Sequence, residues 1–573
     1  MNGELTLETE RVDDIPLLLA QMEQMGLPAL IDRYFPTHGN WEGLAPGWVT
    51  TIWLASILSR GDHRLSHVQP WVDERRYLLA RATGLEITAL DWADDRLAAV
   101  LRLLSEDGPW QAFESAIARQ LLRVYALEAT TVRIDTTSAS GYWSLSESGL
   151  FRFGHSKDHR PDLPQLKVAL STLDPLGLPI ATDVVEGNRA DDPLYIPSVV
   201  RVRKVLNRQG LLYVGDAKMA ALETRAFIAS GADHYLCPLA KVQCPEAQLS
   251  AYLATGVALT VIRDGEDRPV AEAFELAEGV TAEIGGEAFA GEAFAGEAFA
   301  WTERRLVVRS LAQAEASQRS LYERLEKAEA TLKSLNERGR GKKRYTDRVA
   351  FEATVGAVLK RYKVDALLTL EIEEERAPRA VRAYGDKPAR MDVQRRFSVA
   401  FKRDETALKA RLELLGWRVY ATNHQGLTLE QAVWAYRNQY VLERSFGRLK
   451  GQPLSLTPMY LQREDHATGL VRLLSLGLRV LILVEFVVRR QLAAEEASLA
   501  GLYAGNPKRA TARPTAELLL QAFASITLTV VVLPEGRYYH LTPLTTLQQR
   551  ILGLLGFALE VYTRLCSDSA KPP

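Results

Sequence analysis

Three acids are spaced and framed for metal-assisted chemistry. Asp135 closes the β-branched run Thr131-Val-Arg-Ile, Asp216 closes Leu211-Leu-Tyr-Val-Gly, and Glu443 lies among Arg437, Arg444, Arg448 and Lys450. A lone acid after a strand is usually a loop residue, and a charged helix face is usually a solvated one. Two acids at the C-terminal ends of apolar strands are harder to dismiss, because neighbouring strands run about 4.8 Å apart and the acids can share one site. Three carboxylates that close repel one another unless a divalent cation neutralises them. Mg²⁺ takes oxygen ligands and keeps water positions open to phosphate oxygens. Two such ions about 4 Å apart activate water and stabilise a leaving 3′ oxygen in an in-line displacement. The chemistry implied is phosphodiester hydrolysis and strand transfer.

The elements that must position these acids follow from local pattern. Thr428 with Gln431 three residues later is a capping box, and Gly451 and Pro453 are stop signals, so Leu429–Lys450 is expected as one helix. At 3.6 residues per turn, Tyr436, Gln439, Glu443 and Lys450 would share a face, while Val433, Tyr440 and Leu442 would meet a core. Gln165–Leu173 and Leu178–Val185 are expected strands, joined by the turn Asp174-Pro-Leu-Gly177. Asp191–Gln209 fits a helix, Leu211–Asp216 a strand buried on both faces that ends in an acid, Ala220–Ser230 a short helix and His234–Pro238 a further strand. Three strands, a crossover helix and a fourth strand describe a mixed α/β sheet.

The remainder bounds the organisation. With 573 residues there is room for several domains. The 70 basic and 71 acidic residues leave a net charge of -1, so a nucleic-acid partner must be met by local basic patches. Cys237, Cys244 and Cys566 give no disulfide framework or zinc spacing and suit a reducing cytoplasm. The first residues lack the basic and apolar regions of a signal peptide, and the apolar stretch Gly469–Val488 carries Arg472, Arg479 and Glu485, as a buried core helix would. Residues 1–128 are expected as a helical, DNA-binding region. Its tryptophans Trp41, Trp48, Trp53, Trp71, Trp92 and Trp110 are expected mostly in its core, with DNA contacts from some of Arg64, Arg75, Arg76 and Arg81. Residues 129–240 and 416–490 hold the two parts of the sheet domain, and 241–415 an inserted α+β domain. Within the insertion, Gly286–Ala300 is a threefold Gly-Glu-Ala-Phe-Ala repeat, and Arg338–Arg344 is a basic loop that is either a solvated turn or a phosphate contact. Residues 491–573 form a C-terminal helical region that begins with a linker over 491–515 and contains an edge strand at Thr527–Leu533.

Asp135, Asp216 and Glu443 resemble the catalytic triad of DDE-type insertion-sequence transposases. The separation of 227 residues before the glutamate is similar to the branch of that family with a β-rich insertion. That branch has the signature Tyr-x2-Arg-x3-Glu-x6-Lys; this chain has Tyr436, Gln439, Glu443 and Lys450, with glutamine at the arginine position. Gly154-His-Ser-Lys-Asp-His-Arg-Pro-Asp-Leu-Pro-Gln165, Val185-Glu-Gly-Asn-Arg-Ala-Asp191 and Gly215-Asp-Ala-Lys-Met219 also resemble segments of the family. The resemblance implies a ribonuclease-H-like fold interrupted by an inserted α+β domain and flanked by helical N- and C-terminal regions. It implies an enzyme of cut-and-paste DNA transposition in a prokaryotic, nucleoid-associated setting. Asp135, Asp216 and Glu443 would hold two Mg²⁺ ions, with Mn²⁺ able to substitute. Tyr436, Gln439, Arg444, Arg448 and Lys450 would face DNA, and His155, Lys157 and Arg160 would either touch its backbone or decorate a surface loop. Trp301 would stack on an unpaired base or lie in a core, and Asp191 would cap the helix after it. The partners implied are double-stranded transposon ends and target DNA, and a second copy of the chain in a synaptic homodimer. Two other readings share the pattern: a catalytically decayed DNA-binding repressor, and a metal-dependent nuclease on the same fold.

Overall fold

The structure, a computed structural model, describes residues 6–145, 149–277, 279–284, 299–337, 339, 344–383, 385–386, 388–533 and 536–566. In chain order, strand β1 (Thr6–Arg11) leads into helices α1 (Ile15–Gln24), α2 (Leu27–Tyr34), α3 (Pro46–Arg60), α4 (Val68–Asp73), α5 (Arg76–Thr83), α6 (Asp94–Ser105) and α7 (Asp107–Val124). Then come β2 (Thr131–Ser140), β3 (Gln165–Leu173), β4 (Leu178–Glu186), α8 (Tyr195–Leu206), β5 (Leu212–Val214), α9 (Leu222–Ser230) and β6 (His234–Pro238). Next are α10 (Glu246–Leu253), β7 (Thr260–Arg263), β8 (Pro269–Glu275), β9 (Val280–Ile284), β10 (Phe299–Ser310), α11 (Leu311–Asn336) and α12 (Arg348–Tyr362). They are followed by β11 (Leu368–Val381), β12 (Arg390–Arg403), α13 (Glu405–Glu413), β13 (Trp417–Thr422), α14 (Leu429–Arg437), α15 (Tyr440–Lys450) and α16 (Glu464–Ala494). The chain closes with β14 (Leu499–Ala500), β15 (Ala510–Thr511), α17 (Ala516–Gln521), β16 (Thr527–Leu533), β17 (Gly536–Leu541), α18 (Thr546–Leu555) and α19 (Glu560–Thr563).

The chain divides into two compact units. The first comprises residues 1–237, 282–301 and 434–573, the second 238–281 and 302–433. In the first unit β4, β3, β2, β5 and β6 lie in that order, with β2–β3 and β3–β4 antiparallel and β2–β5 and β5–β6 parallel. This is the expected mixed sheet with helices. Asp174–Gly177 forms the expected turn, and Gly177 takes φ +69° there.

Helix α16 is the long apolar helix foreseen at Gly469–Val488, extended at both ends. Its internal charges are all matched. Arg479 donates to Glu114 Oε1 at 2.6 Å and to Pro179 O at 2.8 Å, and Arg472 donates to Leu104 O at 2.9 Å. Gly469 lets α6 approach closely, since a Cβ there would come within 2.1 Å of Leu101 O. Among the described residues no helix is long and apolar enough to cross a membrane. In the N-terminal region Trp53, Trp71, Trp92 and Trp110 are fully buried, as core residues should be.

Several expectations need correction. The terminal regions are not purely helical: β1 pairs antiparallel with β16, and β17 closes a three-stranded sheet. Thr527–Leu533 is therefore its central strand and not an edge. The 491–515 segment is the end of α16 and a short β14–β15 pair, not a linker. Tyr440 is exposed and does not face a core.

The second unit contains β13, β10, β8 and β7 in that order, with β9 also on β10. A long β11–β12 hairpin packs with α11 and α12 around Leu325, Phe351 and Val399. Leu321, Leu325, Ala328 and Leu332, the apolar stripe of α11, are buried there. The pentapeptide repeat up to Ala298 and most of the basic loop at 338–344 lie outside the described residues.

Candidate active site

Parallel pairing sets the centre of the site. Thr131 pairs with Leu212, Val132 with Tyr213 and Arg133 with Val214. Asp135 and Asp216 each stand two residues beyond the last of these pairs. The ladder's offset is thus the same as the separation of the two acids in sequence, and the Asp216 charge reaches Asp135. Asp216 follows the end of β5 as expected. Asp135 does not end its strand, because β2 runs on to Ser140. Burial pushes the Asp135 carboxyl above the usual carboxylate range; the nearby Asp216 charge pushes the same way and Lys157 opposes them.

Each aspartate has a supporting group. The Tyr195 hydroxyl, at the start of α8, donates to Asp216 Oδ1 at 2.8 Å, and Lys218 N donates to the same oxygen at 2.8 Å. Burial, and then the charges of Asp216 and Asp135, raise the Tyr195 phenol well above its ordinary value, so it stays a donor. Asp135 faces the Lys157 ammonium at 3.5 Å. Lys157 belongs to the Gly154–Gln165 segment, and that segment meets the Val185–Asp191 segment around buried Gln165. Gln165 Nε2 donates to His155 O at 3.1 Å and to Gly187 O at 2.8 Å. Both glycines are needed for this approach: a Cβ on Gly154 would lie 2.4 Å from Gly187 O, and one on Gly187 would lie 1.9 Å from Gln165 O. The two segments are thereby one structural feature beside Asp135.

The glutamate helix is built differently from the sequence expectation. Leu429–Lys450 is two helices, α14 and α15, broken at Asn438 and Gln439. The Arg133 guanidinium, also bound to Asp174 through Nε (2.7 Å) and Nη2 (2.9 Å), donates to Ala435 O. That carbonyl would otherwise accept Gln439 N, which turns to Tyr436 O at 3.1 Å. Tyr436 and Gln439 therefore do not share a continuous helix face with Glu443 and Lys450.

Arg133 lies two residues before Asp135 on β2, hence on the same strand face, so α15 begins on the side that Asp135 faces. Ser445 Oγ donates to Gly177 O at 3.1 Å, and Lys450 is ion-paired with Asp158, which fixes the middle and end of α15. Glu443 is exposed in the first turn of α15. Among the described residues no group of three His, Cys, Asp or Glu side chains is placed to hold a metal ion.

The remaining residues fall as follows. Arg444 and Arg448 turn away to α16: Arg444 donates to Glu485 Oε1 at 2.7 Å and Oε2 at 2.6 Å, and Arg448 to Glu485 Oε2 at 2.5 Å. Arg489 joins the same carboxylate at 2.7 Å. His155 and Arg160 are exposed, and Arg160 pairs with Asp162 at 2.8 Å. Trp301 Nε1 donates to Tyr235 Oη at 2.7 Å, and its ring stacks on Phe299. Asp191 makes no side-chain cap to the turn after it. It accepts from Lys167 Nζ at 2.6 Å and Thr136 Oγ1 at 2.9 Å. Arg133, Thr136, Lys167 and Tyr195 were not evident as site residues from sequence. An arginine and a lysine inside otherwise apolar strands is the signal that could have found Arg133 and Lys167; Thr136 and Tyr195 carry none.

No curated protein matches the chain. Among solved structures, a cryo-EM structure of a piggyBac transposase synaptic complex with hairpin DNA aligns with 91% of this chain and 83% of its own at 8% identity, with a TM-score of 0.35, too low to carry an argument. The family model described as "Transposase DDE domain" matches residues 119–478, a span that includes Asp135, Asp216 and Glu443. On that match the chain belongs to the Transposase DDE domain family.

Proposed function

We propose that this transposase cuts DNA at the ends of a mobile element and joins those ends to target DNA, with Asp135, Asp216 and Glu443 as its catalytic acids on a ribonuclease-H-like sheet. The observation that carries the reading is the placement of Asp135 on β2 and Asp216 just past its parallel neighbour β5, each two residues beyond the last ladder pair and both inside the family-matched span.

The donors fit a hard divalent cation. They are carboxylate oxygens, and the Asp135 carboxyl is held up by burial and by Asp216, a strain that a cation between the two would reverse. Asp135, Asp216 and Glu443 would hold two Mg²⁺ ions, which when bound supply water activation and stabilisation of the leaving oxygen. Around them, Tyr195 orients Asp216, and Arg133 with Lys450 sets where α15 presents Glu443. Tyr436, Gln439 and Lys450, with His155 and Arg160, form the proposed DNA-facing set. Arg444 and Arg448 are engaged with Glu485 and are left out of it. A homodimer that synapses two DNA ends is part of the proposal. Glutamine at 439, where the family signature has arginine, favours a second reading, a decayed copy that binds ends without cutting.

The test is cleavage of a supercoiled plasmid carrying the gene's own flanking ends, with Mg²⁺ or Mn²⁺, by wild type and Glu443→Gln. Metal-dependent breaks at the ends, absent in the variant, are expected. Tight end binding without cleavage by wild type would establish the second reading instead.

A further inference from the structure

Lys157 stands where a cation is needed. Its Nζ is 3.5 Å from Asp135 Oδ1 and 3.5 Å from Asp191 Oδ2, midway between two carboxylates. It is held there by donating to Thr136 O at 2.5 Å and Thr136 Oγ1 at 2.9 Å, and its main-chain N–H donates to Ser138 Oγ at 2.9 Å. Asp191 is itself fixed. Its Oδ1 is taken by Lys167 Nζ at 2.6 Å and Thr136 Oγ1 at 2.9 Å, and Lys167, buried in β3, is anchored on Arg189 O at 2.5 Å. The other oxygen, Oδ2, faces Lys157. Asp191 is neither a member of the acid triad nor a helix cap.

We propose that Lys157 is a resident counter-cation of the acid pair, exchanged for the divalent ion. Without metal the ammonium neutralises Asp135. When metal loads, Lys157 withdraws from Asp135 and stays paired with Asp191, whose carboxylate is already oriented to keep it. The inference rests on the reading that Asp135 and Asp216 hold divalent ions. Lys157 and Asp191 are positioning residues in this scheme, and their removal has opposite effects on metal affinity. Without the ammonium, nothing competes for Asp135. Without the Asp191 carboxylate, the ammonium has only Asp135 as an ionic partner and competes harder. Asp191 acts through Lys157, so its effect disappears when Lys157 is absent.

The experiment is titration of the full chain with Mn²⁺ alone, without DNA, followed by electron paramagnetic resonance of the free ion at fixed pH and ionic strength. Lys157→Met is expected to bind roughly tenfold tighter than wild type, and Asp191→Asn roughly three- to tenfold weaker, for a unit charge a few ångströms from the site. The double variant should match Lys157→Met within about twofold. Lys157→Arg keeps the charge and should stay within about threefold of wild type, which covers the case in which Asp191→Asn does not fold. Unchanged or weaker binding by Lys157→Met overturns the proposal, as does an additive double variant. Asp135→Asn separates the two levels: if it binds Mn²⁺ as wild type does, the metal-site reading fails and the exchange fails with it. If it loses binding while Lys157→Met is unchanged, the exchange alone fails.

Discussion

The Arg133 guanidinium donates to the main-chain carbonyl of Ala435, 302 residues away in sequence, while holding Asp174 with two further hydrogen bonds. One side chain on the strand of the first aspartate thus decides where the helix of the glutamate begins. Replacing it frees Ala435 O to accept Gln439 N, and α14 and α15 can then run on as one helix with Glu443 displaced. Arg133→Gln is expected to lower cleavage roughly 10- to 100-fold, the scale of an ångström-sized misplacement, with end binding retained in a gel-shift assay. Equal losses of binding and cleavage would mean that Arg133 serves only overall folding.

Tyr195→Phe removes the hydroxyl that orients Asp216 Oδ1 and leaves the ring's packing intact. Supporting groups of this kind change metal affinity or activity about 10- to 100-fold. The expected result is weaker Mn²⁺ binding of about that order, with stability changed by no more than about 1 kcal/mol. An unaltered Mn²⁺ isotherm would remove Tyr195 from the site.

Glu485 is a buried acceptor for Arg444, Arg448 and Arg489. Glu485→Gln takes that carboxylate from all three guanidinium groups and leaves Arg448 with Glu517 alone. Breaking a buried pair in this way costs about 3–5 kcal/mol. A clear fall in the urea midpoint is expected, and an unchanged midpoint would show that the arginines find other acceptors.

Asp14 is buried and its carboxyl is pushed up to about 6 by desolvation, against the opposing hydrogen bond from Ser59. A carboxylate whose folded value is raised favours the folded state while protonated. Its contribution is complete below the unfolded value of about 4 and is lost as pH rises to about 6. Asp14→Asn should therefore raise the thermal midpoint at pH 7, by an amount corresponding to about 2–3 kcal/mol. Near pH 4 it should change little. The same shift at both pH values would assign the effect to packing instead of charge.

What could be read in the sequence was what short segments decide for themselves. The strands 165–173 and 178–185, the turn at Asp174–Gly177, and the buried character of 469–488 are all set by local residue type. The relation of Asp135 to Asp216 was legible as well, since each acid follows a β-branched or apolar run that could only be a strand. The misreadings each have a distant cause. The 429–450 helix carries no breaker at Asn438 or Gln439; the break follows from Arg133 taking a carbonyl. β2 is expected from sequence to end in an acid and the hydroxyl residues that follow it, because polar residues commonly finish a strand; it runs on to Ser140, with Thr136, Thr137, Ser138 and Ser140 all within it. They are buried strand residues, with Thr136 and Ser138 bonded to Lys157 or Asp191. Glu443 was identifiable by its spacing to Tyr436 and Lys450, but its distance from the two aspartates depends on how α15 is held, which no local pattern encodes.

The pairing of β1 with β16 bears on how the protein is made. Arg11 must wait for Thr527 before their ladder can form. At about 5–20 residues per second of synthesis, that wait is roughly half a minute to two minutes. Throughout it β1 lacks this partner, and the three-stranded sheet can form only after β16 and β17 have been made. A chain cut short before residue 527 keeps Asp135, Asp216 and the whole of α15, yet lacks that closure. Such fragments would carry the site's residues on an unfinished N-terminal region, and proteases would clear them faster than the full chain.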